Sequence, residues 1–158
     1  MPAVAWTTLT VADLPVGKAA ALVAALQSAA LGEGQPDPMP GIVAGVVTRI
    51  RAEIAAGGCT VLDADPEKIP PSLKPLALRM ALREGQSRLN VAGALELTDQ
   101  EREEWRQDVR YLERIAEGRI TVEASLNPEA APTVQAATPA PLISAPERRW
   151  TAADQDGI

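Results

Sequence analysis

The stretch from Asn127 to Trp150, NPEAAPTVQAATPAPLISAPERRW, places prolines at 128, 132, 139, 141 and 146 among alanines and small polar residues. Such a segment cannot build a core. Each proline removes a backbone donor and fixes its own φ, and the residues between them carry little apolar area. Ordering it costs roughly 1 kcal/mol or more of backbone entropy per residue. Contacts with another surface have to offset that cost, and a neighbouring protein is the simplest source of them. The chain therefore reads as a folded body, residues 1–118, followed by an extended Pro/Ala-rich C-terminal arm, residues 119–158. It reads first as a component of an assembly.

The body has few aromatic residues to fill an interior. Trp6, Trp105 and Tyr111 are its whole supply, Trp150 lies in the arm, and there is no phenylalanine. Ala, Val, Leu and Ile must form the core, which favours closely packed helices. The expected fold class is all-α, a small four-helix bundle. A net charge of −6 argues against free-standing affinity for nucleic acid, which rests on basic surface. Such a chain can lie beside DNA without gripping it. Cys59 is the only cysteine, so no disulfide forms within one chain and no oxidising compartment is needed. A small residue in a loop or core is its expected role, rather than a reactive thiol. The first residues, MPAVAWTTLTVADLP, lack a basic lead into an apolar run and are not expected to be a signal peptide. Glycines and charges interrupt every apolar stretch short of membrane-spanning length, so a soluble, intracellularly made protein without a membrane partner is expected.

Hydrophobic spacing predicts the elements in order. An extended lead-in from Trp6 runs into a helical turn that Thr10 or Thr8 can cap, with Asp13 complementing its positive end. A first helix follows over about 18–31, rich in alanine, with Leu22 and Leu26 at i, i+4 and Gly32 ending it. After the turn-rich GEGQPDPMPG, a second helix runs from Pro40 or Gly41 to Ala56. Val43, Val46, Val47, Ile50 and Ile54 form its apolar stripe, and Arg49, Arg51 and Glu53 its wet side. Pro70 and Pro71 introduce a third helix over about 71–90, whose leucines and Met80 mark two apolar faces and make it the most buried. Thr98 and Glu101 form a capping box for a fourth helix over about 99–117, with Trp105, Val109, Leu112 and Ala116 on its stripe. RITVEASL then alternates like a short strand or extended arm.

Chemical motifs are scarce. Without histidine there is no Ser-His-Asp or Cys-His system and no imidazole metal site. No phosphate-binding glycine loop occurs. DADPE (63–67) faintly resembles a calcium loop but lacks its glycine and its final glutamate, so it reads as a solvated acidic loop. Glu103, Glu104 and Asp108 read as the solvated side of the fourth helix rather than as paired catalytic carboxylates. Lys74, Arg79, Arg83 and Arg88 make the third helix basic, yet its continuous leucines fit core packing better than a groove-reading helix. No catalytic, cofactor-binding or metal residue is expected, and no enzyme. Arg102, Arg106, Arg110 and Arg114 recur at i+4 spacing. Their plain reading is ion pairing along the helix; the sharper one is a face toward a neighbouring copy or a lumen. In the arm, Leu142, Ile143, Arg148, Arg149 and Trp150 combine apolar and guanidinium groups of the kind that anchors interfaces.

The order of several strings carries a resemblance. WTTLTVADL (6–14), DPMP (37–40), VVTRIRAEI (46–54), IPPSLKPLAL (69–78), LTDQEREEW (97–105) and DVRYLERIAEG (108–118) together resemble the Mu-like head-completion proteins of tailed phages, which belong with the head–tail connector, or adaptor, proteins. The likeness covers roughly residues 6–126, extends weakly to the arginine–aromatic end Arg148-Arg149-Trp150, and rests on order and spacing, since none of the strings is a chemical signature. It implies a helical unit repeated in a ring, a dodecamer, in the neck of the virion. One face of that ring docks to the portal protein and the other to a stopper or tail-completion protein. Genomic DNA passes through the lumen without sequence recognition. The long Pro/Ala segment, 127–146, departs from that pattern. A cytosolic helical interaction module without catalytic activity is the alternative reading.

Overall fold

The computed structural model describes residues 3–17, 20–29, 36–89 and 98–130. The described chain is mostly helical with little strand. Its elements are strand β1 (Thr7–Thr8), a 3₁₀ turn (Val11–Asp13), a single helical turn α1 (Leu14–Gly17), α2 (Ala20–Ala29), α3 (Met39–Gly57), strand β2 (Lys68–Ile69), a second 3₁₀ turn (Pro71–Leu73), α4 (Lys74–Leu89) and α5 (Asp99–Ala116).

Local chemistry sets most of these limits. Thr10 stands in extended backbone before the first turn, and the Asp13 carboxylate accepts from the Thr10 amide at 2.9 Å. Prolines 70 and 71 supply the fixed φ that starts the 3₁₀ turn leading into α4. Thr98 and Glu101 cap α5 reciprocally: the Glu101 amide donates to Thr98 Oγ1, and the Thr98 amide to Glu101 Oε2. Gly58 and Gly118, with φ of +62° and +71°, end α3 and α5 in the left-handed conformation that a side chain would strain.

The core is aliphatic. Leu14, Leu26, Met39, Ile50, Ile69 and Met80 are fully enclosed. α3 contributes Ile42, Val43, Val46, Val47 and Ile54, and α4 contributes Leu76 through Leu82 apart from the half-buried Arg79. Among the described residues the third predicted helix is the most buried, as its two apolar faces require. Gly57 marks a close approach, since a Cβ there would run into the Ile115 carbonyl. β1 pairs antiparallel with β2, Thr7 opposite Ile69 and Thr8 opposite Lys68.

Two expectations fail in the same place. Residues 119–126 are extended but do not leave the body. The Val4 amide donates to the Ala124 carbonyl at 2.9 Å, and the Leu126 amide to the Val4 carbonyl at 3.0 Å, a parallel bridge between Val4 and Ser125. Trp6 Nε1 donates to the Glu123 carbonyl at 3.0 Å, and Val122 is part of the core. The reason lies in the alternation itself: Ile120 and Val122 form an apolar edge that needs cover, and the lead-in around Trp6 supplies it. Beyond them, the Ala64 amide donates to the Asn127 carbonyl at 2.9 Å and the Glu129 amide to the Leu62 carbonyl at 2.7 Å. The body therefore extends through this return segment at least to Glu129. Leu22's side chain, Gly32 and the arm from 131 to 158 lie outside the described residues.

Candidate functional site

The second failed expectation concerns Asp63 of DADPE, which is withdrawn from solvent although Ala64, Pro66 and Glu67 of the same loop stay exposed. Asp63 is 2% exposed. Its carboxylate accepts from Ser125 Oγ, from the Asp65 amide at 2.9 Å and from Asn127 Nδ2 at 3.4 Å. Arg51, assigned by its spacing to the wet side of α3, reaches over the same loop. It donates to the carbonyls of Asp63, Asp65 and Lys68 at 2.8, 3.0 and 2.8 Å, and its guanidinium lies 5.9 Å from the centre of the Trp6 ring. Burial pushes the Asp63 carboxyl up, but the three hydrogen bonds outweigh it and hold the group below its ordinary range. The motif is a clasp that fixes the return segment. Among the described residues no group of three His, Cys, Asp or Glu side chains is placed to hold a metal ion.

A second polar cluster joins α4 to α5. Asp108, expected on the wet side, is 6% exposed, and Arg83 is 5% exposed. Arg79 grips Asp108 with both prongs, at 3.0 and 2.6 Å, while Arg83 reaches Asp108 at 3.0 Å and also pairs with Glu104. The Asp108 hydrogen bond holds the Arg79 guanidinium above its ordinary range. The apolar stripe of α5 accordingly runs through Leu112 and Ile115, with Trp105, Val109 and Ala116 half-buried beside it. The signal for this was present: Asp108 stands three after Trp105 and four before Leu112, inside the stripe, opposite two arginines one turn apart. These charges are spent inside the body. They bind α4 to α5 and leave no free carboxylate pair there for acid–base chemistry.

The arginine row behaves differently. Arg102 and Arg106 are exposed and pair along the helix with Asp99 and Glu103, each at 3.0 Å. Arg110 and Arg114 are exposed and have no ion-pair partner among the described residues. Glu117, three residues beyond Arg114, pairs with Arg119 at 3.1 Å instead. One exposed face of α5 thus combines two neutralised and two unmatched guanidinium groups. Between α3, α4 and α5 lies a hollow of about 590 Å³ bordered by Arg49, Ser87, Arg88 and Trp105. Cys59 is exposed in the loop after α3. The predicted arm residues Leu142, Ile143, Arg148, Arg149 and Trp150 lie outside the described residues, so the structure does not bring them to the arginine row.

No described helix is long and apolar enough to cross a membrane. Comparison with protein-family models, with curated proteins and with solved structures gave no match.

Proposed function

We propose that this chain is a structural head–tail connector of a tailed phage. Copies of it assemble, through α2–α5 as a repeated four-helix unit, into a twelve-membered ring in the virion neck. One face meets the portal and the other a stopper or tail protein, with the genome passing through the lumen. The sequence resemblance to Mu-like head-completion proteins suggests the class. The observation that carries it further is the outer face of α5, where Arg110 and Arg114 stand exposed and unmatched while the charges between α4 and α5 are paired. Unmatched guanidinium groups in a row, on a chain of net charge −6, fit a contact with acidic surface on a neighbouring copy or a lumen facing phosphate. The role is architectural and requires neither a cofactor nor a metal.

Light scattering on the chromatographed protein, alone and mixed with portal rings of the same phage, tests this directly. A connector adds to the portal in a fixed ratio. A chain that stays monomeric and passes the portal by would be a helical interaction module instead.

A further inference from the structure

The lead-in and α3 border an apolar groove that none of the described residues fills. Its volume is about 370 Å³ and its floor is formed by Leu9, Val11, Val43 and Val47. Pro66 and Glu67 form one lip. The Glu67 carboxylate has no ion-pair partner among the described residues. We propose that this groove receives the Leu142–Ile143 segment of a second copy of the chain, with Arg148 or Arg149 of that copy facing Glu67. The inference rests on the ring reading and deepens it, because it names the surface that joins successive copies.

Chemistry and reach both select this occupant. Leu142 and Ile143 are the concentrated apolar pair beyond the body, and the two arginines follow five and six residues later. A branched aliphatic pair suits a valine-lined trough, and a cation beyond it suits an unmatched carboxylate at the lip. The chain departs from the body beside the groove, for Pro128 bridges Asp63 and the Glu129 amide holds the Leu62 carbonyl. Asp63 is within about 11 Å of Pro66, the most a three-residue step can span. From Ala130 to Leu142, a proline-bearing tether at roughly 3.1 Å per residue reaches ~35 Å. A reach of that length is enough to bring Leu142 and Ile143 to the groove of a neighbouring copy.

Single-cysteine chains test the docking. In a Cys59→Ser background, Ala44→Cys marks the exposed side of the groove, Ile143→Cys marks the arm, and Ala56→Cys provides an off-groove control. The Ala44→Cys and Ile143→Cys chains are mixed, oxidised gently and run on non-reducing gels beside light scattering. The expected result is a reducible mixed dimer at about tenfold the yield of the Ala56→Cys mixture, as a held contact raises effective concentration. Oligomers with no mixed dimer above control overturn the docking and leave the ring intact. A mixed dimer without larger oligomers upholds the docking and removes the ring. A disulfide confined to one chain, in the Ala44→Cys/Ile143→Cys double variant, overturns the proposal, as does a monomer that forms no disulfide.

Discussion

Arg83 of α4 and Asp108 of α5 meet at 3.0 Å with both side chains almost wholly out of water. Removing Asp108 leaves the buried Arg83 only the half-exposed Glu104 and strips Arg79 of its partner, and breaking a buried charge network in this way costs about 3–5 kcal/mol. Asp108→Ala should therefore consume much of a total stability of about 5–15 kcal/mol, read as the urea midpoint. The joint change Arg83→Met with Asp108→Leu should cost far less, because Arg79 and Glu104 are each half-exposed and can turn to solvent. A double variant whose loss equals the sum of the Arg83→Met and Asp108→Leu losses would show that the pair is not energetically coupled.

Acid should weaken the fold through Asp13 and Asp63. The hydrogen bond from Lys74 Nζ, 2.9 Å away, leads the forces that hold Asp13 below its ordinary 3.8. A carboxyl lowered by folding contributes stability above its unfolded value, and that contribution disappears as pH falls through the folded value. Urea melts from about pH 6 to about pH 2 should show stability falling below about pH 4, with a shallower slope for Asp13→Asn. An unchanged slope in that variant would remove Asp13 from the account.

Where the body ends is testable by truncation. A chain stopped at Ala130 should keep its helical signal and its melting temperature. One stopped at Gly118 loses Val122 from the core, worth roughly 1.5–3 kcal/mol, and uncovers Trp6. Its melting temperature should fall by about 10 °C or more. Similar melting of the two chains would mean that residues 119–130 merely lie on the surface.

Reversing Arg106 and Arg110 to Glu together should disturb assembly far more than folding. Within one chain the change breaks a single exposed pair, Arg106 with Glu103, and should cost under about 1 kcal/mol. Ring formation and portal binding, followed by light scattering at physiological salt, should be lost. A normally assembling double variant would leave the row as a solvated face.

Much of the helical plan was legible from spacing. The Thr98–Glu101 box, the double proline before α4 and the glycines after α3 and α5 each act through neighbouring backbone, so short strings suffice to locate them. What spacing could not convey was which charges leave water. Asp108 and Asp63 look like any surface aspartate until Arg79, Arg83, Ser125 and Asn127 arrive from elements 25 to 64 residues away (Asp65, two residues on, being the local exception). The return of residues 119–130 was hidden for the same reason: alternation announces an extended segment but not the edge it joins. Of the arginine row, only Arg102 and Arg106 form the pairing along the helix that the spacing suggests.

The bridge between Val4 and Ser125 is parallel, and the one between Asp63 and Pro128 is antiparallel. Tension applied to the chain beyond Ala130 would first meet the Leu62–Glu129 and Ala64–Asn127 hydrogen bonds, then the Ser125–Asp63 clasp, before any helix felt the load. Those contacts flank the loop that Arg51 ties to α3. A pull on the arm is thereby handed to α3, and α5, which precedes the clasp in sequence, is bypassed as a load path.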